Sequence, residues 1–359
     1  DDIYSVPASQ KKLTTMIVRK ILASSTYALI FTLEHIKERL NRMLTENHKA
    51  EFHAEDLVDE DDWQLYEENE EDACMVAEES LLEEDEIDIP RLKKEIETIG
   101  EFINKAKHIQ EDSKADALLT ALEQSFAKLH DMGANRKALI FTESTKTQAY
   151  LREYLETNGY EGKVVLFNGK ASEPQTNEIY KRWCAEHSDK VSGIKAADRR
   201  AAIVDYFQNE AEIMIATEAA AEGLNLQFCS LLINFDLPWN PQRIEQRIGR
   251  CHRYGQKFDV VVVNFINTRN YADVRVFELL SNKFKLFDDV FGASDEVLGK
   301  ADNIDIETRI WEIYQQCRSE EEINSAFERL QADMQQEIDQ RMDEVRAEVM
   351  EHFDINVQE

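Results

Sequence analysis

The chain reads as an α/β protein whose parallel sheet is flanked by helices and extended by helical segments at both ends. Three observations predict this. Five short apolar runs recur between positions 138 and 265, amphipathic stretches separate them, and both flanks carry apolar residues at helical spacing among many charges. Runs that are apolar throughout, rather than alternating, suit strands buried on both faces of a parallel sheet. Strand and helix in alternation imply a doubly wound unit. At 359 residues the chain exceeds the usual size of one core, so more than one structural unit is expected.

Taken in order, residues from Ser9 to Leu44 predict two helices, with Leu13, Ile17 and Ile21 on one stripe and Leu29, Leu33, Ile36, Leu40 and Leu44 on another. An acidic segment, 51–90, follows. From Pro90 to Met132 the spacing of Ile96, Ile99, Phe102, Ile103 and Ala106, then of Leu118, Leu122, Phe126 and Leu129, is helical again. These parts form an expected helical region, 1–132.

The expected α/β unit spans 133–270. Its strands are Ala138–Phe141, Val164–Phe167, Ile213–Ala216, Leu231–Phe235 and Val260–Phe265. Helices are predicted over Thr147–Thr157 and Asp198–Gln208, and the polar stretch Ala171–Gly193 is expected as a surface loop or short helix. Residues 271–359 read as a helical bracing extension. There Ile323, Phe327, Leu330, Met334, Ile338, Met342, Val345, Val349 and Phe353 step by threes and fours, without settling into the repeated heptads of a coiled coil.

The net charge of −30 runs against the basic surplus usual in nucleic-acid binders. Its location resolves much of this. Positions 51–90 hold nineteen Asp and Glu and no Lys or Arg, which leaves −11 for all other residues. That segment reads either as a solvated linker or as an intramolecular mimic of nucleic acid. The five cysteines, Cys74, Cys184, Cys229, Cys251 and Cys317, make no CxxC pair. Neither a zinc site nor a disulfide framework is expected, and a reducing cytoplasm fits. No stretch approaches the ~20 apolar residues of a membrane span. The first residue, Asp1, reads as the start of a piece of a longer protein.

The chemistry is expected in Asn240–Gln256. Asn240 can cap a helix opened by Pro241, and Gly255 can end it. At ~100° per residue, Arg243, Gln246, Arg247, Arg250 and Arg253 share an arc of about 120°, with Glu245 pointing away. Like charges at that spacing cost a few tenths of a kcal/mol per pair and Gly249 about 1 more, so such a face implies an anion. Arginine suits phosphate because its planar fork grips two oxygens and its charge can neutralise a transferred phosphoryl group.

Gln246-Arg-Ile-Gly-Arg-Cys-His-Arg253-Tyr-Gly-Gln256 resembles motif VI of helicase superfamily two, in the QRIGRxHRxGQ form of Swi/Snf-type ATPases. Ala216-Thr-Glu-Ala-Ala-Ala-Glu-Gly-Leu-Asn-Leu226 is similar to motif V, and Leu139-Ile-Phe-Thr-Glu-Ser144 to motif IV. Asp236-Leu-Pro-Trp-Asn-Pro241 looks like the family's connector into motif VI, with Trp239 either a stacking platform or a packed aromatic. Phe277 to Gly299 is similar to the region that follows in bacterial relatives.

The resemblance, over roughly 133–300, implies the C-terminal RecA-like lobe of a Swi/Snf-type ATPase. Arg250 and Arg253 are then arginine fingers for the ATP γ-phosphate, and Gln246, Gly223 and Asn225 lie near the nucleotide. Thr217, Arg243 and Arg247 are expected on the nucleic acid. Glu222 stands where many relatives have Arg or Gly, which sets a phosphate contact there in doubt. The sequence has no GxxxxGK[ST] motif and no DEAH-type run, so ATP and Mg²⁺ are expected to be held mainly by a first lobe outside this chain. Alone, the chain is expected not to hydrolyse ATP. Expected partners are double-stranded DNA, the first lobe of the same parent chain, no membrane, and a protein met through the helical extensions. The alternative function is an interaction or scaffold module recruiting RNA polymerase or a defence-system nuclease.

Overall fold

The computed structural model describes residues 4–5, 11–46, 57–58, 88–109, 112–169, 174–218, 224–238, 241–253, 255–268 and scattered positions from 274 to 333. Most of the acidic segment 51–90, together with Gly223, Trp239, Asn240 and most of 271–359, lies outside the described residues. The chain divides into two compact units, one of residues 1–238 and 242–265, the other of 239–241 and 266–359. The N-terminal helices thus share a unit with the sheet.

The first unit opens with α1 (Lys11–Ser24) and α2 (Thr26–Glu46), joined at Ser25. Ile17, Ile21, Ile36 and Leu40 are buried, as the helical spacing predicts, but Ala28 and Met43 are buried too while Leu29, Leu33 and Leu44 are half-buried, so the inward stripe of α2 is turned from the expected one. Next come α3 (Ile89–Lys107) and α4 (Ser113–Met132). Each begins where a short acid can satisfy free amides: Asp88 accepts from the Arg91 N–H, and Asp112 from those of Lys114 and Ala115. Gly133, at φ 70°, ends α4 in the left-handed conformation that a Cβ disfavours.

Five parallel strands follow: β1 (Ala138–Phe141), β2 (Val164–Phe167), β3 (Ile213–Ala216), β4 (Leu231–Asn234) and β5 (Val261–Asn264). Their order is β2-β3-β1-β4-β5. All four residues of β1 to β4 are buried, as the continuous apolar runs require. The central strand aligns Ile140 with Ile215 on one side and Ile233 on the other.

Helices cover both faces. Leu118, Leu122, Phe126 and Leu129 of α4, with Leu151 and Leu155 of α5 (Thr145–Leu155), pack on Ile140, Val164, Ile213 and Ile215. On the opposite face, α6 (Pro174–Glu186) and α7 (Lys195–Asn209) set Ile179, Trp183, Ile203 and Phe207 against Phe141, Val165 and Met214. The stretch expected as a surface loop or short helix therefore contains a 13-residue helix with two core side chains. Its charged sequence hides a three-and-four spacing, Thr176, Ile179 and Trp183, all buried.

The unit closes on α8 (Pro241–Cys251) before β5. In the second unit the described residues 324–330 are helical, with Phe327 and Leu330 buried, and Ile310 is buried too.

Candidate functional site

In an open parallel sheet, ligands bind outside the carboxyl ends of the strands, where side chains of successive loops converge. Here the neighbouring ends of β1, β3 and β4 bring together Thr142, Glu143 and Ser144, then Thr217 and Glu218, then Asp236. Helix α8 lies over them.

Arg247 points into this cluster and is 1% exposed. Its Nε donates to Glu218 Oε2 at 2.7 Å, and Nη2 lies 2.5 Å from the same oxygen. Nη1 donates to Asn234 Oδ1 at 2.8 Å and to the Asp236 carbonyl at 3.1 Å. The guanidinium also lies 4.6 Å from the Phe141 ring centroid. A buried charge is tolerated when its counter-charge is close and its donors are met. Arg247 has the carboxylate and hydrogen bonds from Nε and Nη1, while Nη2 makes the ion pair without a hydrogen bond of its own. Arg243 is buried as well.

The other basic residues behave differently. Gln246 is exposed and Arg250 half-buried. The Arg250 carbonyl accepts from the Leu226 N–H at 2.9 Å, but among the described residues no hydrogen bond or ion pair holds its guanidinium. Arg253 is exposed, and its Nε donates to the Gly249 carbonyl at 3.1 Å. The single outward cationic face expected from helical geometry is therefore divided. Arg247 and Arg243 turn inward, and Gln246, Arg250 and Arg253 remain available. The reason is Glu218, whose carboxylate comes from the segment just after β3 and draws Arg247 under the helix. The helix also ends at Cys251 rather than near Gly255, so Arg253 follows the last turn and closes back on it.

Of the motif V residues, Thr217 is buried at the end of β3, its N–H bonded to the Phe167 carbonyl at 3.1 Å. Its hydroxyl has no partner among the described residues. Asn225 is exposed and accepts from the Gln227 N–H at 3.3 Å.

Asp236 is the residue sequence reading passed over. Its Oδ2 accepts from Thr142 Oγ1 at 2.6 Å, Ser24 Oγ at 2.7 Å and the Glu143 N–H at 3.0 Å, and Oδ1 accepts from Lys114 Nζ at 2.8 Å. Burial opposes its ionisation, but the Lys114 ammonium and the bonds from Lys114, Thr142 and Ser24 outweigh that and hold the carboxyl below its ordinary value. Lys20 and Glu143 pair at 3.5 Å beside it, both side chains buried. These partners come from α1, α4 and the loop after β1, so no local motif announces them.

Among the described residues no group of three or more His, Cys, Asp or Glu is placed to hold a metal ion, and no helix is long and apolar enough to cross a membrane.

Residues 114–255 match the family described as helicase conserved C-terminal domain. The chain is 32% identical over 250 residues to an uncharacterized ATP-dependent helicase, YqhH, of Bacillus subtilis, which covers 70% of this chain and 38% of that protein. It is 34% identical over 118 residues to the RNA polymerase-associated protein RapA of Serratia proteamaculans, which covers 32% of this chain and 12% of RapA. The chain thus spans well under half of either relative. Among solved structures, the C-terminal part of the Fun30 ATPase domain is similar at 18% identity, over 77% of this chain and 85% of that one, with a TM-score of 0.34. A score that low adds nothing to what the sheet itself shows.

Proposed function

We propose, from the premise that residues 114–255 are a helicase conserved C-terminal domain of the Swi/Snf-type branch of superfamily two, that this chain is the second motor lobe of a nucleic-acid-dependent ATPase. In this reading ATP and Mg²⁺ sit mainly on a first lobe, and this lobe closes on them. Arg250 and Arg253 then meet the γ-phosphate, where positive charge stabilises the charge on the transferred phosphoryl group. Gln246, Gly223 and Asn225 order the nucleotide edge. Thr217 and Arg243 are assigned to the backbone of double-stranded DNA, which both reach only once they are uncovered, since both are buried here, and closure moves the lobe along it without reading bases. Arg247 stands behind this edge, and its own role on nucleic acid requires release from Glu218.

One observation carries the reading. Two arginines at i, i+3 stand at the carboxyl edge of the sheet with no carboxylate compensating Arg250 among the described residues, while Arg247 of the same helix is neutralised. Such an edge fits a polyanion. The orphan Thr217 hydroxyl supports a further contact, since a buried hydroxyl without a partner costs about 1–3 kcal/mol.

The test is reconstitution with the first lobe. Arg250→Ala and Arg253→Ala should each lower nucleic-acid-stimulated ATP hydrolysis on the order of 10³-fold. Activity within a few-fold of the unsubstituted protein removes the arginine-finger assignment. Duplex and tailed substrates of DNA and RNA in the same assay separate translocation from unwinding and identify the track.

A second reading, an interaction module, draws on the RapA relatives, which are described as RNA polymerase-associated. Pull-down of RNA polymerase by the chain, lost on deleting the terminal helices, would favour it.

A further inference from the structure

We infer that Asp236 is a positioning residue that ties the junction of α1 and α2 to the arginine helix α8, so that the N-terminal helical pair controls where Arg250 stands. The inference rests on the motor-lobe reading for what Arg250 does, but its geometry is independent of it.

The connection can be followed atom by atom, and its direction is fixed. Ser24 donates its hydroxyl proton to Asp236 Oδ2 at 2.7 Å. Its contact with Thr147 Oγ1, also 2.7 Å, must therefore be one in which Thr147 donates. Thr147 in turn receives the proton of Ser25, whose Oγ lies 2.7 Å away. Ser25 Oγ accepts from the Ala28 N–H at 3.1 Å and so caps α2. An unbroken donor chain runs from the first turn of α2 through Ser25, Thr147 and Ser24 to the Asp236 carboxylate. All four of these side chains are buried.

Lys114 closes the arrangement from the other side. Its Nζ donates to Asp236 Oδ1 and to the Ala23 and Ser24 carbonyls, at 2.8, 2.9 and 3.2 Å. It thereby satisfies the last carbonyls of α1. On the far side of the same residue, the Asp236 carbonyl accepts from Arg247 Nη1, one helical turn before Arg250. In a low-dielectric interior such chains polarise one another, and breaking one member weakens the rest. A shift of the α1–α2 junction thus has a rigid route to α8, and no other part of the helical pair needs to touch that helix.

The experiment has two arms. In the 359-residue chain, hydrogen exchange across 241–251 is compared for Asp236→Asn, Ser24→Ala, Thr147→Val and Thr147→Ser. Local opening of a foldon edge by loss of a buried bond should speed exchange there about tenfold for Asp236→Asn and several-fold for Ser24→Ala and Thr147→Val, with Thr147→Ser near the unsubstituted rate. Leu92→Ala, in the α3 core away from the network, is the control for general destabilisation. Unchanged exchange in both Asp236→Asn and Ser24→Ala, or equal acceleration by Leu92→Ala, overturns the inference; if Asp236→Asn fails to fold, Ser24→Ala and the Thr147 pair decide.

In the full-length parent protein, Ser24→Ala should lower kcat about fivefold with KM for ATP within twofold, the pattern of a lost transition-state contact. A kcat equal to that of the unsubstituted protein, where Arg250→Ala is inactive, overturns the link to Arg250. If Arg250→Ala is itself active, the motor-lobe reading fails, while the exchange arm still tests the physical coupling.

Discussion

The two ends of the sheet handle charge in opposite ways. At the amino end, Glu212 bridges Arg136 at 2.9 Å and Lys163 at 2.7 Å, with both cations about half exposed. At the carboxyl end, Asp236 holds a half-buried Lys114 and Glu218 holds Arg247, which is 1% exposed. The amino-end cluster ties strand β3 to its neighbours in water, where an ion pair contributes little. At the other end Arg247 and Asp236 have been taken out of water, which stabilises the fold only while their partners are present.

Removing Glu218 is the sharpest way to break this contrast. Glu218→Ala strands the buried Arg247 charge and should destabilise the chain by about 3 kcal/mol, read as the shift of a denaturation midpoint at unchanged slope. A loss under ~1 kcal/mol would mean that Arg247 simply turns outward to water.

Acid should reach the two ends together but with different depth. Asp236 and Glu212 both titrate below their ordinary values of 3.8 and 4.5. Burial raises each, and the facing cations and hydrogen bonds more than reverse it. A depressed folded value means that the stability each contributes is present above the ordinary value and is lost as pH falls through the folded one. Melting temperature should therefore hold down to about pH 4.5 and drop below 3.8. The drop should be smaller in Asp236→Asn, and almost unaltered in Glu212→Gln.

The smallest effect belongs to the amino end. Glu212→Gln should change stability by no more than about 1 kcal/mol, and the change should shrink further when salt is raised from 0.05 to about 0.5 M, as the Debye length falls. A larger loss would place this cluster on the same footing as the buried one.

The sheet was legible in the sequence because β1 to β4 are runs of four buried residues, apolar throughout but for Asn234 at the end of β4, and such a run has few other homes. The arginine helix was legible as a helix and as a site, because its motif is local. The fate of Arg247 was not. Its arc position was shared with Arg250, and its counter-charge, Glu218, lies 29 residues back, just past the end of β3. Asp236 was harder still: its partners Lys114 and Ser24 stand 122 and 212 residues away, and hydrogen-bonding side chains carry no period that could reveal such a meeting. The α6 helix was obscured by composition, since Ile179 and Trp183 are its only large apolar core side chains.

The strand order has a consequence for how the molecule comes into being. Strand β1 leaves the ribosome first among the strands, yet it lies in the middle of the sheet, and its partners are aligned at Ala138↔Ile213 and Leu139↔Leu232. Some 75 to 93 residues must therefore be synthesised before either flank of β1 is covered, several seconds at ~5–20 residues per second. During that interval the local contacts of α4, whose Leu118, Leu122, Phe126 and Leu129 precede the strand directly and share its cluster, are the cover nearest to hand. Helix α4 is thus placed to cover the nascent strand on which it later rests.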